Sequence, residues 1–418
     1  MTDARTLDSI RVDAPAPAHV PRDRVVDLSW ARGLIPNDLE EPYAPCRWLL
    51  NPDVPRLLYD VVPGSTTPNG AWVVSHYEDI RRVYEDNEYF STKGVAEFQR
   101  MIGETFRTIP LAIDPPEHAR YRKFLNQFLT PVAVAKMDVH IRQVVTGMID
   151  EFADKGQVDI AYDFGRIYPV RIFMNLMKFP SDMFDQFLAW EWDILHADAP
   201  EKTAKALREV IDWLRGFMAD KQANPDDGLT SSIVHGEIDG LPLTDDEKMG
   251  MVWLLWLGGL DTVASTISQM FRRMALQPEL QVQVRESPEL NHSVVEEFLR
   301  TQPLVYSTRT LLKDLHWHGV LLKEGDQIMC LTSAGNFDPA QFKNAHQFDP
   351  ARPANRHFTL IGGVHICLGA HLARRELRVL LEEWFKRIPE FRLKPGTNTT
   401  MNPGLLSIRN LPIQWDVR

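Results

Sequence analysis

Apolar residues recur three or four positions apart through much of the chain, as expected for amphipathic helices. Strand-like runs are shorter: one covers 71–76, and several lie within 305–330, where Gly319 and Gly325 mark turns. The pattern predicts a mainly α protein, a large helical domain with small β-sheets. Helical periodicity is clearest over 137–152, 168–177, 183–195 and 204–218.

Capping signals mark the starts of two predicted helices, and a third follows the last cysteine. Thr244 and Glu247 have capping-box spacing and begin a helix that we carry to residue 277, before a proline. Its middle, 251–260, is apolar on every side, which indicates burial in a large core. Asp114 and Glu117 have the same spacing and predict another helix start. The last helix follows Cys367 and runs to about residue 387.

The ends of the chain differ from its middle. Residues 1 to about 28 are rich in Pro, Asp and Arg and lack periodicity, so we expect a loosely ordered arm. No internal repeat or low-complexity linker interrupts residues 29–418, which we expect to form one domain.

Composition narrows the class of protein. The net charge of −11 argues against general nucleic-acid binding, which needs a basic face. Three cysteines cannot form a disulfide framework. The N-terminus has no apolar signal region, and the longest apolar run, 249–260, is too short to span a bilayer. We therefore expect a cytoplasmic protein that binds neither membrane nor nucleic acid.

A lone cysteine, Cys367, stands in a glycine-rich loop over 360–369, just before a helix. Glycines let the backbone pass close to a flat ligand, and a helix start favours a thiolate. Such a thiolate can attack a substrate, bind a metal or ligate a haem iron. A buried structural cysteine is the alternative.

Two further groups of residues are candidates for a functional or structural role. Gly258 and Gly259 precede Asp261 and Thr262 in the apolar helix, where they indicate either tight helix packing or a flat ligand against the helix. A carboxylate beside a hydroxyl suits proton relay.

The second group begins with Glu297 and Arg300, which lie three residues apart on a predicted helix. Such a pair is usually a surface ion pair. With Arg352 they could instead form a carboxylate shared by two guanidinium groups, which would fix a loop against the helix.

These motifs, in this order and spacing, resemble those of the cytochrome P450 family. Within it, the chain is similar to bacterial camphor monooxygenase and related terpenoid-oxidising members. The likeness extends from about residue 21 to 415. Local matches lie at 169–174, 258–263, 371–376 and 411–415.

The resemblance implies haem b, with Cys367 as the ligand of its iron. It implies that Asp261 and Thr262 deliver protons during dioxygen activation, and that Glu297, Arg300 and Arg352 are structural. His118, Arg122, Arg309 and His365 would bind the haem propionates, and Gly258 would lie against the haem. The substrate pocket would be lined by Phe106, Leu254, Leu257, Val305, Leu405 and Leu406.

The chain departs from the family pattern in three places. Leu360-Ile361 replace the usual Phe-Gly, and we expect Gly362 to supply the backbone angle that the missing glycine would. Ser307 replaces an acid near a propionate. Phe106 aligns with the tyrosine that binds the camphor ketone, so that either Thr108 or no residue replaces this contact.

The implied activity is hydroxylation of a small hydrophobic, terpenoid or norisoprenoid-like substrate with dioxygen. Electrons would come from a [2Fe–2S] ferredoxin and its reductase, docked on a basic cluster of Arg122, Lys123, Arg374 and Arg375. We expect a monomer. A peroxide-driven peroxygenase and a haem sensor or carrier are the alternatives, and the acid–alcohol pair counts against both.

Overall fold

The helices and strands are taken from a computed structural model that describes residues 6–31, 43–62, 67, 69–195, 199–353, 355–397, 399 and 407–417. The α-helices of these residues are α1 Leu7–Ile10, α2 Tyr77–Glu85, α3 Glu117–Asn126, α4 Pro131–Lys136, α5 Asp138–Asp150, α6 Tyr168–Met177, α7 Phe184–Leu195, α8 Pro200–Ala223, α9 Leu229–Val234, α10 Asp245–Gly258, α11 Asp261–Leu276, α12 Pro278–Glu286, α13 Asn291–Thr301, α14 Thr332–Gly335 and α15 Ala370–Arg387. The strands are β1 Val25–Val26, β2 Leu57–Asp60, β3 Ala71–Val74, β4 Phe90–Ser91, β5 Gln157–Asp159, β6 Glu237–Ile238, β7 Leu241–Pro242, β8 Ser307–Leu311, β9 Leu315–Trp317, β10 Val320–Leu322, β11 Gln327–Cys330, β12 Arg392–Leu393 and β13 Pro412–Gln414.

The chain divides into two compact units. The sheet unit comprises Met1–Val95, Glu286–Ala370 and Asn398–Arg409. The helical unit comprises Ala96–Arg285, His371–Thr397 and Asn410–Arg418. The single domain over 29–418 stays a prediction.

The sheet unit is built on a six-stranded sheet in the order β1-β2-β3-β11-β8-β4. The pairs β1–β2 and β3–β11 are parallel and the others antiparallel. Strands β9 and β10 form a separate hairpin, and Gly319 takes a positive φ at its turn. Strand β1 and helix α1 lie within the predicted N-terminal arm, whose loose order in solution stays a prediction.

Aromatic side chains form much of the core of the helical unit. Trp384 of α15 is fully buried and meets Phe271 of α11 edge to face, with ring centroids 4.6 Å apart. Phe152 and Phe391 pack on the same indole. Helices α5, α6, α7 and α8 also bury apolar residues at helical spacing, as helices with one face in a core do.

The two predicted capping boxes have different outcomes. Thr244 caps α10, and its hydroxyl and the Glu247 carboxylate bond each other's backbone N–H groups, as predicted. The capping box at α3 is wrong: the helix begins at Glu117 with Pro116 as its N-cap, so Asp114 and Glu117 are not at the N-cap and N3 positions. Glu117 instead accepts a hydrogen bond from Arg107 Nη1 at 3.0 Å.

Within the described residues, one helical stretch, Asp245–Leu276, is long and apolar enough to cross a membrane on length and composition alone. Of its most apolar window, 61% is buried inside the protein, and the core helix of a soluble protein meets the same criterion. The stretch is therefore weak support for a membrane span.

Candidate functional site

The three cysteines have different surroundings. Cys46 is buried, and its thiol donates to Ala31 O at 3.4 Å. Cys330 lies inside the sheet, where burial raises the pKa of its thiol to about 12. Cys367 is exposed. It is thus the one cysteine of the three whose sulfur can meet an external group.

The backbone of the cysteine loop is held by its own hydrogen bonds. Cys367 N–H donates to Leu360 O at 2.9 Å, and Ile361 N–H donates to Phe358 O at 2.8 Å. The expectation for Gly362 is wrong, because this residue is extended, with φ −140° and ψ 179°. Ile361 itself takes the left-handed conformation, with φ 63°. For a residue with a side chain this costs roughly 1–2 kcal/mol.

The glycines of this loop meet the protein's own chain. A Cβ on Gly363 would overlap the Tyr84 carbonyl oxygen, and one on Gly362 would lie 3.1 Å from the Tyr84 ring. Gly363 also has a positive φ of 63°. The two glycines are therefore explained by close packing on α2 rather than by approach to a ligand.

Three predicted residues accompany Cys367 in the sheet unit. His365 is 6% exposed, and its Nε2 lies 3.4 Å from Thr92 Oγ1. Arg309 is buried, with its guanidinium carbon 5.1 Å from the Tyr84 ring centroid. Val305 is partly exposed, and its carbonyl accepts the Thr332 hydroxyl at 2.8 Å.

Ser307, the residue in place of an acid, makes a polar contact with α2. Its Oγ lies 2.8 Å from the Tyr84 hydroxyl. Burial raises the pKa of Tyr84 well above its usual value, so this phenol stays neutral. The hydroxyl groups of Ser307 and Tyr84 near Arg309 are therefore both neutral.

A buried carboxylate is shared by two arginines. Glu297 and Arg300 are fully buried, and Arg300 Nε and Nη2 donate to the two Glu297 oxygens at 2.8 and 2.6 Å. Arg352 Nε lies 3.2 Å from both oxygens. Arg300 Nη1 also donates to the carbonyls of Asn336 and Ala345. Helix α13 is thereby tied to the irregular segment that follows α14.

The long apolar helix is interrupted where its two glycines lie. Helix α10 ends at Gly258 and α11 begins at Asp261, so the continuous helix predicted over 244–277 is wrong. The side chains of Leu254 and Leu257 are partly exposed, and Gly258 and Thr262 are exposed. These positions follow helical spacing and mark one open face in the middle of a mostly buried stretch.

Gly258 and Gly259 differ in what a side chain at each position would contact. A Cβ on Gly259 would lie 2.5 Å from the ring of Phe173, which means tight packing. A Cβ on Gly258 would meet nothing within 4 Å. Of the two interpretations of this pair, packing therefore describes Gly259, whereas Gly258 lies on the open face.

The polar pair lies at the start of α11. Asp261 Oδ1 accepts from the Ser265 hydroxyl at 3.3 Å, and the Thr266 hydroxyl donates to Thr262 O at 2.9 Å. Asp261 is partly exposed and Thr262 is exposed. The carboxyl thus lies between the core and the open face.

His118 and Arg122 lie one turn apart on α3. His118 is 3% exposed. Burial, assisted by the Arg122 charge and opposed by Asp114, lowers the pKa of His118 to about 4. The imidazole is therefore neutral at pH 7 and can donate one N–H to an acceptor, while Arg122 supplies the positive charge.

The predicted substrate contacts within the described residues lie in different surroundings. Phe106 is 3% exposed, and its carbonyl accepts from Gln99 Nε2 at 2.8 Å. The Thr108 hydroxyl is fully buried and donates to Ala96 O at 3.2 Å, so it cannot replace the ketone-binding tyrosine. Leu405 and Leu406 lie outside the described residues.

The donor set fits a haem. A cysteine thiolate is a known iron ligand, and guanidinium and imidazole N–H groups pair with carboxylates such as propionates. Cys367 offers the sulfur, and the histidines and arginines named above offer the other groups. These donor types are the ones that a haem-thiolate protein needs.

Comparison with known proteins gives the family. Residues 171–417 match the cytochrome P450 family model. The chain is 33% identical over 406 residues to probable cytochrome P450 127A1 of Sinorhizobium fredii, covering 96% of this chain and 97% of the relative. It is 31% identical over 357 residues to mycinamicin IV hydroxylase/epoxidase of Micromonospora griseorubida, covering 82% and 89%.

Similar solved structures also belong to the cytochrome P450 family. The crystal structure of CYP101J2 has a TM-score of 0.84 and 31% identity, covering 96% of this chain and all of that one. CYP101C1 has a TM-score of 0.84 and 30% identity with the same coverage. Both are camphor-type relatives. The chain belongs to the cytochrome P450 family, which confirms the predicted fold, and it is an oxygen-incorporating oxidoreductase that binds haem b through a cysteine thiolate.

Sequence reasoning missed one acidic residue. Glu191 of α7 is 8% exposed, and burial together with the Asp261 charge raises the pKa of its carboxyl. The only signal in the sequence was an acid among Trp190, Trp192 and other apolar residues of a core helix.

Proposed function

We propose that this enzyme hydroxylates a small hydrophobic molecule of terpenoid or norisoprenoid character with dioxygen and electrons from a [2Fe–2S] ferredoxin and its reductase. Bound haem supplies the activation of dioxygen, which gives one oxygen atom to the substrate and one to water. The open face of α10 and α11 carries the proposal. There Leu254 and Leu257 offer apolar contact directly before an acid–alcohol pair.

The cofactor would be held by five residues. Cys367 would be the iron ligand, because its sulfur is the accessible one of three. Arg122 and Arg309 would pair with propionates by charge. His118 and His365 would donate N–H groups to them, and the low pKa of His118 keeps it a neutral donor.

Protons would reach the reaction through Asp261 and Thr262. The Asp261 carboxyl would pass a proton to the Thr262 hydroxyl, which is exposed on the open face and would hold it beside the reacting oxygen. Ser265 orients the carboxyl from the core side through its hydroxyl.

A reconstituted system with ferredoxin and reductase tests this function. Thr262→Ala should still bind substrate and consume reductant but release mostly peroxide, and Asp261→Asn should slow turnover by about 10²-fold. Ser268→Ala is the matched control, because it removes a hydroxyl of α11 that donates to Ala264 O.

The alternatives give different results in the same system. A peroxygenase would turn over with peroxide alone and ignore the ferredoxin, and a sensor or carrier would form no product. Full coupling in Thr262→Ala would contradict the proton role.

An apolar pocket should select its substrate by contact area, at about 25 cal/mol per Å². Phe106 offers no donor, and the Thr108 hydroxyl is used inside its own loop. We therefore expect hydrocarbons, ethers and esters to bind better than ketones of the size of camphor. Spin-shift titration of the ferric enzyme with terpenoids, norisoprenoids, a macrolide and a steroid tests the size class.

The ferredoxin would dock on the basic cluster of the helical unit, which is smaller than predicted. Arg375 Nε donates to Asp138 Oδ1 at 2.6 Å, so its charge is already paired. Lys123 is exposed on α3. Lys123→Glu should slow reduction by ferredoxin, more so at low salt, and leave substrate binding unchanged. Lys205→Glu on α8 is the matched charge reversal, and equal slowing in both would contradict this site. The cytoplasmic location and the monomeric state belong to the same proposal.

A further inference from the structure

A buried acid stands behind the proposed proton pair. Glu191 lies on α7 and is 8% exposed. Its Oε1 has no hydrogen-bond partner within the described residues. An unpartnered carboxylate in such surroundings is unfavourable, because burial disfavours the charged form. The carboxyl is therefore held in its protonated form and can act as a proton donor.

A π-helical turn packs closely against the start of α11 at Gly165. A Cβ on Gly165 would lie 3.3 Å from Ala264 O and from Ser268 Oγ, so the π-helical turn Ile160–Gly165 contacts α11 closely. Arg166 follows this turn, and its guanidinium carbon lies 4.7 Å from the Tyr162 ring centroid. The π-helical turn thus packs against the first two turns of α11, and Arg166 directly follows that turn.

Two charged groups act on Glu191. The Asp261 carboxylate on α11 opposes its ionisation and the Arg166 guanidinium favours it, but burial is the larger effect and raises the pKa of Glu191 to about 8. On α8, which packs against α7, Glu209 accepts from the Trp190 indole N–H at 2.9 Å and lies 3.5 Å from Lys205.

We infer that Glu191 is the proton store of Asp261, an inference that rests on the proposed function. When Asp261 has passed its proton towards Thr262, a water molecule between the two carboxyls gives a proton to Asp261 and takes the proton of Glu191, so that one O–H bond breaks on Glu191 and one forms on Asp261. Glu191 is left as a carboxylate, stabilised by Arg166, until water from the solvent returns a proton. Glu191 itself touches neither substrate nor cofactor and acts through Asp261.

The first test reads the carboxyl directly in the resting holoenzyme. Infrared difference spectra over rising pH should lose the carbonyl stretch of a protonated carboxyl near pH 8, and Glu191→Gln should lack this change. Glu376 on α15 is the internal control. Burial alone raises its pKa well above the usual value, so its band should persist across the same range. A titrating band that survives in Glu191→Gln would overturn the inference.

The second test reads the pH profile of coupling, as product formed per reductant consumed. In the wild type, coupling should fall as pH rises through 8. Glu191→Gln should show low coupling at every pH, with turnover reduced about tenfold, less than the 10²-fold typical of a direct acid–base group. Glu191→Asp keeps a carboxyl and should keep a pH-dependent transition.

The outcomes separate this inference from the proposed function. If Thr262→Ala uncouples the enzyme while Glu191→Gln retains full coupling and the wild-type profile, only the proton store is overturned. If neither variant uncouples, the acid–alcohol relay fails as well. Glu376→Gln should keep the wild-type profile, and a loss of the transition there would show that any buried acid changes it and would overturn the specific role of Glu191.

Discussion

Gly258 and Gly259 are adjacent glycines at the end of α10 that should respond in opposite ways to the same substitution. Gly259 has φ −93° and ψ −2°, a conformation open to alanine, so the cost of a side chain there comes from what its Cβ meets. On Gly259 the Cβ would lie 2.5 to 2.8 Å from three Phe173 ring atoms. On Gly258 it would meet nothing within 4 Å.

The magnitudes follow from these contacts. Overpacking of a well-packed core costs about 1–3 kcal/mol, and we expect Gly259→Ala to lose that much stability because the Phe173 ring must move. Gly258→Ala should be neutral or gain up to about 1 kcal/mol, since alanine is the better helix former. It should, however, place a methyl group on the open face where we expect the haem and dioxygen.

Urea unfolding and optical spectra separate the two effects. Gly259→Ala should unfold at lower urea and keep the wild-type spectrum of the folded holoenzyme, and Phe173→Leu should recover part of the loss in the double variant. Gly258→Ala should keep the unfolding midpoint and change the spin state or the binding of substrate. Equal destabilisation by both substitutions, or an unchanged site in Gly258→Ala, would refute the assignment of the two faces.

Three further predictions follow from buried groups. Arg300→Lys keeps the charge beside Glu297 but loses the fork, and should cost roughly 3 kcal/mol in urea unfolding; a loss below about 0.5 kcal/mol would contradict the network. Folded Glu191 holds a proton that the unfolded chain releases above the ordinary glutamate pKa of 4.5, so its contribution to stability should fall as pH rises from 4.5 to about 8 and then level off. Glu191→Gln should remove that part of the decline in unfolding free energy over this range, and an unchanged decline would contradict it. Phe106→Tyr should improve ketone binding over the matched hydrocarbon by about fivefold, one net hydrogen bond, in paired spin-shift titrations; an unchanged ratio would show that this ring does not face the substrate.

Local patterns predicted the elements well. The spacing of apolar residues and the Thr244 capping box depend on residues within a few positions of one another, so α10 begins where the sequence indicates. At α3 the same spacing failed, because the helix begins at Glu117 with Pro116 as its N-cap, and the Glu117 carboxylate pairs with Arg107, which lies outside that window. A capping pattern therefore does not by itself fix where a helix begins.

Long-range contacts explain what the sequence could not predict. The left-handed Ile361 and the requirement for Gly363 both arise where the cysteine loop packs on Tyr84 of α2, far away in the chain. The need for a glycine at 259 likewise depends on the Phe173 ring, which lies far away in the chain. The protonated Glu191 depends on burial and on Asp261, neither of which is visible in its neighbours along α7.

The most direct measurement of the central claim is the spectrum of the reduced carbonyl complex with and without the Cys367 thiol. The wild type and Cys46→Ser, which alters a buried thiol, should both show the red-shifted Soret band from which the family is named. Cys367→Ser should bind haem without that band, because the serine oxygen replaces the thiolate donor. A red-shifted band that persists in Cys367→Ser, or one lost in Cys46→Ser at equal haem content, would contradict the account.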